Sequence, residues 1–269
     1  MAFTRKYHVT AHEIDYRYLL TPDGMLLYFQ DAVACCLYEH NVAGFDIDKL
    51  GLLWIISNFD LHIEKGKRPY WFEEVEVSVS LGKVTPYRLF FDAEMKNAQG
   101  SVFATGTSSW SVIDTVSRQP MDCKRILEKG AMEVETNVHS AHHSRLKMPR
   151  IGELLWENEH KTGGRDVDQN LHVNNRVYTA AAFNCVPQEI YKVKQVKRIT
   201  IKYERETFTG DALSCRTYKA LSEELPECED CFVQIISNTG GEQVCTITTV
   251  WEPKLKQEMI ENHLRNVTI

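Results

Sequence analysis

The chain has 269 residues, 43% apolar and 25% charged, with a formal net charge of −6. Those values suit one large globular domain or two ordinary ones with a full core; they exclude a disordered chain and a small disulfide-stapled scaffold, and the negative balance speaks against nucleic acid as the main partner. No apolar run reaches membrane-spanning length, so no membrane insertion is expected.

The N-terminus, Met1 to Lys6, is followed at once by a strand-like pattern rather than a signal-type apolar stretch, which predicts a cytoplasmic protein. Pro22 to Tyr38 reads as a helix, with Pro near its start and Met25, Leu26, Phe29, Val33 and Leu37 at helical spacing. An apolar run, Leu52 to Ile56, comes next, and Trp71 to Ser80 alternates apolar and polar residues with the period of a strand. Phe90 to Trp110 reads as a hairpin: a strand, a tight turn with Asn97 and Gly100, and a long Thr- and Val-containing strand ending in Trp.

From about 115 to 155 the pattern lapses into a polar stretch, with a short helix possible around Cys123 to Lys129. His142 and His143 fall here, with no acid or cysteine at ligand spacing, and read as surface loop. Beyond it, Asn175 to Asn184 is a second, shorter helix that Asn174 or Asn175 can cap. Strand signals follow to the end. Cys231 to Trp251 repeats the earlier hairpin, with Asn238, Gly241 and Trp251 each 141 residues after Asn97, Gly100 and Trp110. The chain is therefore predicted to be α+β, with an N-terminal repeat over 1–118, a linker over 119–154 and a C-terminal repeat over 155–269, each half a strand, a helix and about four antiparallel strands.

The eight cysteines are scattered, mostly in apolar runs, and read as reduced thiols; Cys228 and Cys231 form a C-x-x-C with no second pair at zinc spacing, so no metal site is expected. Charge is uneven. From Arg145 to Arg205 there are twelve Lys/Arg against seven acids, a basic window suited either to plain solvation or to docking an acidic partner.

The informative stretch is Arg165 to Tyr178. Asp168, Asn170 and His172 stand at i, i+2 and i+4, which in an extended chain share one face, with Val167, Leu171 and Val173 turned to the core. The stretch runs into a helix, whose first turn offers free N–H groups and a positive dipole end. Acid, amide, imidazole and helix start are the inventory for attack on a carbonyl. A plain polar turn, with Asp168, Asn170 and Asn174 bonding backbone amides, is the alternative these residues allow.

Asp166 to Asn175 closely resembles the D-x-D-x-N-x-H-V-N-N signature of plant and bacterial acyl-acyl-carrier-protein thioesterases. Tyr203 to Glu206, with a Gly-Asp turn at Asp211, resembles that family's second motif. Glu13 to Asp15 and Ser109 to Asp114 match its opening strand and the strand closing its first repeat. The resemblance covers nearly the whole chain. It implies a double hotdog, two tandem repeats each with a long helix wrapped by an antiparallel sheet, that hydrolyses fatty acyl-acyl-carrier-protein and so ends chain elongation in fatty acid biosynthesis.

It also implies a catalytic set of Asp168, Asn170, His172 and Glu206. Asn174 and Asn175 at the helix start would help hold an oxyanion, and an acidic carrier protein would dock on the basic window. No cofactor is implied. Thr207 departs from the plant enzymes, which have Cys there; this favours a water nucleophile with acid/base help from Glu206 and His172, and Asp168 orienting His172 or Asn170. After Asp15 the first repeat reads Tyr16-Arg17-Tyr18-Leu19, without Asn or His, so that half is expected to be catalytically silent and to serve the acyl chain. Leu26, Phe29, Val33, Trp54 and Ile56 are the candidate acyl-chain pocket.

One expectation conflicts with another. A regular strand from Ile199 puts Ile199, Ile201 and Tyr203 on one face and Glu206 on the other, so either the site faces a seam between repeats or a bulge shifts the phase. Three rivals stand beside this reading: a hotdog hydrolase of acyl-coenzyme A, a hotdog hydratase, and a non-catalytic lipid-binding module. A monomeric pseudo-dimer and a homodimer both remain open.

Overall fold

A computed structural model describes residues 2–135, 148–221 and 230–255. The first repeat runs β1 (Phe3–His8), α1 (Pro22–Glu39), α2 (Gly44–Asp48), β2 (Leu52–Ile63), β3 (Glu74–Thr85), β4 (Arg88–Asn97) and β5 (Val102–Asp114). After α3 (Cys123–Gly130), the second runs β6 (Arg150–Lys161), α4 (Asn175–Asn184), α5 (Gln188–Val193), β7 (Lys194–Tyr203), β8 (Ala212–Leu221), β9 (Asp230–Ser237) and β10 (Gln243–Pro253). All ten strands form one sheet in the order β1-β3-β4-β5-β2-β7-β10-β9-β8-β6, with every pairing antiparallel. Exchanging the two repeats leaves that order unchanged, which is the signature of an internal two-fold.

Local chemistry explains the elements. Thr21 caps α1, its hydroxyl accepting the Gly24 N–H at 3.3 Å, with Pro22 at the first helical position. The helix buries Met25, Phe29, Ala32, Val33 and Cys36 against the sheet. Asn97 Oδ1 accepts the N–H groups of Gln99 and Ser101, and Gly100 takes the left-handed conformation its turn needs. Asn238 and Gly241 do the same in the second hairpin. Even the closing tryptophans agree: Trp110 Nε1 donates to Ser108 Oγ at 2.8 Å and Trp251 Nε1 to Thr249 Oγ1 at 2.9 Å.

Some boundaries differ from the sequence reading. β3 starts at Glu74, because Trp71 to Glu73 form a turn with Phe72 left-handed. β6 starts at Arg150, inside the stretch read as linker, and α3 occupies the position anticipated for a short helix. The seven described cysteines are free thiols. Cys228, His142, His143, Arg145 and Lys147 lie outside the described residues.

The repeats join where β2 pairs β7, Asn58 opposite Lys202 through His62 opposite Arg198. At the centre of this seam Asp60, 3% exposed, accepts Arg198 Nε and Nη2, each at 2.9 Å, and the Thr200 hydroxyl at 3.1 Å. Burial alone raises a carboxyl pKa; hydrogen bonds from His62 and Arg198, with the Arg198 charge, overcome it and hold Asp60 well below the usual carboxylate range. A depressed carboxyl stabilises the fold above its unfolded pKa and loses that contribution as pH falls through its folded pKa. Asp60→Asn is thus expected to lower stability at pH 7 by about 2–3 kcal/mol, below the range for a fully buried pair because Arg198 is partly exposed. The deficit should begin to shrink below about pH 4, where the Asp60 carboxylate of the unfolded chain protonates while the folded one stays ionised. Urea unfolding of both proteins at pH 7 and pH 3.5 checks this; equal stability at pH 7 would refute it.

Candidate active site

The stretch from Asp168 to His172 is a tight loop rather than an extended strand. The Asp168 N–H bonds the His172 carbonyl at 2.8 Å and the Leu171 N–H the Asp168 carbonyl at 3.1 Å, with Leu171 left-handed at φ 62°. Leu171 is therefore 73% exposed, not turned to the core, while Val173 is buried as expected. Asp168 Oδ1 accepts the N–H groups of Asn170 (2.8 Å) and His172 (3.2 Å). The carboxylate thus orients both residues, through their backbone amides rather than their side chains.

The loop delivers the chain into α4. Asn174 is the cap, its side chain accepting the Arg176 N–H at 3.1 Å, and it is not on the cavity wall. Asn175 is on that wall. As the first residue of the helix it presents a backbone N–H without an intrahelical acceptor.

Glu206 approaches from beyond the end of β7. The strand stops at Tyr203, and the N–H groups of Glu204 and Arg205 both turn to the Val244 carbonyl, at 2.9 and 3.2 Å. The alternation that put Glu206 on the wrong face therefore does not extend to it. Glu206 Oε1 lies 3.5 Å from His172 Nδ1, and its other oxygen is paired with Arg118. Phe208 packs edge-on against the His172 ring, with centroids 5.3 Å apart. Thr207 is fully buried, and its hydroxyl shares a 2.5 Å hydrogen bond with Tyr178. Burial pushes the Tyr178 hydroxyl up to about 12, so the pair stays neutral.

Asp168, Asn170, His172 and Glu206 all border one cavity of about 530 Å³. Its far wall is built from the first repeat: Trp54 and Ile56 of β2, Trp110 and Ile113 of β5, and Gln30 of α1. The cavity lies across the seam between repeats. Of the candidate acyl-chain residues, Trp54 and Ile56 line it and Leu26 lines a small adjoining pocket. Phe29 and Val33 do not: both are fully buried core, Phe29 edge-on to Phe59 at 5.4 Å. Helical spacing marks a buried face and cannot tell a cavity wall from packed interior.

Arg118 was not singled out by the sequence. It follows an Asp114 turn, whose side chain accepts the Val116 and Ser117 N–H groups, and reaches Glu206 across 88 residues of chain. No local pattern announces such a contact. The basic window is also less free than its composition suggests. Lys192, Lys194, Arg198, Lys202 and Arg205 pair with Glu189, Asp230, Asp60, Glu204 and Glu242. Exposed Arg165 and Arg176 sit together beside the loop, the Arg176 guanidinium donating to the Arg165 carbonyl at 3.1 Å.

Comparison with known proteins bears on both repeats. The family model described as the acyl-ACP thioesterase N-terminal domain matches residues 1–128, and the one described as its C-terminal domain matches residues 156–253. An oleoyl-acyl carrier protein thioesterase 2 of Arabidopsis thaliana, chloroplastic by name, is 25% identical over 240 residues, which cover 80% of this chain and 62% of that protein. The structure of a 12:0-ACP thioesterase from Umbellularia californica superposes with a TM-score of 0.80 at 20% identity, covering 94% of each chain. An acyl-ACP thioesterase from Bacteroides thetaiotaomicron gives 0.76 at 17% identity, covering 93% of this chain and 98% of that one. These structures share the double-hotdog fold with this chain.

Proposed function

The chain belongs to the acyl-acyl-carrier-protein thioesterase family, and from that premise we propose that it hydrolyses fatty acyl thioesters of acyl carrier protein, releasing free fatty acid and so terminating chain elongation. One observation carries this reading: an amide, an imidazole and a carboxylate, on two separate segments, border a single cavity whose opposite wall is largely apolar and belongs to the other repeat. A thioester carbonyl placed at the polar wall extends its acyl chain toward Trp54 and Ile56.

In the proposed reaction a water is held between His172 and Glu206. Its oxygen attacks the carbonyl carbon while Glu206, or His172 beside it, takes its proton. The oxyanion is held by the Asn175 N–H at the start of α4 and by the Asn170 side-chain amide. The C–S bond then breaks, and the departing thiolate of the carrier's prosthetic arm receives the proton. The burial of Thr207 and its hydrogen bond to Tyr178 support water as the nucleophile.

The test is release of free acid and free thiol from a panel of acyl-carrier-protein thioesters and the matching coenzyme A thioesters, with wild type and His172→Ala. Faster release from the carrier-protein substrates, lost in the variant, supports the reading. Preference for coenzyme A would instead assign an acyl-coenzyme A thioesterase. Tight retention without release would leave a lipid-binding module.

The carrier protein is proposed to dock beside the loop at Arg165 and Arg176. Replacing both by glutamate is expected to raise KM for an acyl-carrier-protein substrate at least tenfold at low salt, with kcat nearly unchanged and coenzyme A substrates little affected. Steady-state kinetics at two salt concentrations measures this. An equal KM for the carrier substrate would remove these residues from the docking surface.

A further inference from the structure

The loop of the active site has a twin in the first repeat. Asp15 Oδ1 accepts the N–H groups of Arg17 (2.8 Å) and Leu19 (3.4 Å), and the Asp15 N–H bonds the Leu19 carbonyl at 2.9 Å. Tyr18 is left-handed at φ 62°, as Leu171 is. Arg17 thus stands where the second repeat has Asn170, and Leu19 where it has His172. Leu19 forms a β-bridge to Tyr70 as His172 does to Phe208, which puts Arg68 in the place of Glu206. The amide, imidazole and acid have become two guanidiniums and a leucine.

The two-fold also duplicates the cavity. About 210 Å³ opens against Arg17, Leu19 and Arg68, closed from across the seam by Gln195 and Leu255 of the other repeat. Its chemistry is inverted. Arg17, Lys67 and Arg68 line it, against Glu73 and the nearby Asp15. Glu73 accepts the Tyr70 N–H at 2.8 Å, and one Asp15 oxygen is shared by Arg68 Nη2 (2.8 Å) and Arg17 Nη2 (3.1 Å). The two arginine side chains are only 10% and 7% exposed. Burial lowers the Arg68 pKa; Asp15 opposes this and the Arg17 charge adds to it. Arg17 Nε is buried without a hydrogen-bond partner among the described residues. A buried charged donor left unpaired is costly, and an anion in the cavity removes that cost.

We propose that this cavity binds a small monoanionic carboxylate with a short apolar tail, its carboxylate on Arg17 and its tail against Leu19, Tyr70 and Leu255. Arg17, Lys67 and Arg68 outnumber Glu73 and the nearby Asp15 by one, which favours a ligand with a single negative charge. An engineered apolar cavity of about 150 Å³ holds benzene, so this one suits a ligand the size of hexanoate. Planar carboxylates are matched by the guanidinium fork.

Calorimetric titration of the full chain with hexanoate, at fixed pH and ionic strength, tests this. Saturable binding is expected, at least tenfold tighter than hexanol or inorganic phosphate, and retained in His172→Ala. Arg17→Gln is expected to weaken it at least tenfold. Leu255→Phe, which fills the cavity and leaves every charge in place, should do the same and serves if the arginine variant fails to fold. Absence of saturable hexanoate binding would overturn the proposal. So would equal binding by Leu255→Phe, phosphate binding as tightly as hexanoate, or loss of binding in His172→Ala, which would assign the ligand to the catalytic cavity.

Discussion

Glu206→Gln is expected to lower kcat on an acyl-carrier-protein substrate by about 10³, within the 10²–10⁴ range for a positioned general base, while KM changes less than threefold. Glutamine keeps the size and a hydrogen-bonding oxygen but cannot take a proton from water. Its contact with Arg118 turns from an ion pair into a neutral hydrogen bond, and both side chains are partly exposed. Stability should therefore move by less than about 1 kcal/mol. His172→Ala is expected to lose a similar factor. Because both groups act on one water, the double variant should be little worse than the worse single one, the behaviour of residues that work as a unit. Single-turnover release of free acid measures all three. A Glu206→Gln enzyme within tenfold of wild type would remove the acid from the chemistry, and fully multiplicative losses would separate the two roles.

The parts of this molecule legible in its sequence are those fixed by neighbouring residues. The paired hairpins could be read because Asn97 and Asn238 bond amides two to four residues on, and Gly100 and Gly241 supply the left-handed step. The helices could be read because Pro22 and Asn174 mark helix starts and Met25, Leu26, Phe29, Val33 and Leu37 keep helical spacing. Where neighbours do not decide, the reading failed. Nothing in Leu171 announces a left-handed residue, so periodicity reads an extended stretch with Leu171 in the core; the polar turn the same residues allow, with Asp168 and Asn174 accepting backbone amides, is what forms. Strand alternation gave Glu206 the wrong face because the end of β7 is set by the Val244 carbonyl on another strand. Arg118 comes from the other repeat, and only the folded sheet brings it to Glu206. Phe29 and Ile56 are alike in the sequence; the seam makes one core and the other cavity wall.

Asp168 carries the second large expectation, and its two substitutions should diverge. One oxygen of its carboxylate holds the amides of Asn170 and His172 together. Asp168→Ala removes that acceptor and releases both residues from their positions. Misplacement of a catalytic group by about 1 Å can lower a rate about 10²-fold, and here two groups move together, so a kcat loss of about 10²–10³ is expected. Asp168→Asn keeps an oxygen in the same place. If the carboxylate acts by accepting these amides, the asparagine variant should retain kcat within about tenfold, the difference between a charged and a neutral acceptor. If it acts instead by its charge on the imidazole, asparagine should fare as badly as alanine and the pH profile of kcat should shift with it. The loop geometry favours the first outcome, since no side-chain contact between Asp168 and His172 is present among the described residues. In the first repeat Asp15 makes the same two amide bonds in a loop that carries Arg17 and Leu19 instead. An aspartate that serves loop shape fits both halves of a duplicated fold, while the Asn170, His172 and Glu206 positions carry Arg17, Leu19 and Arg68 in the first repeat.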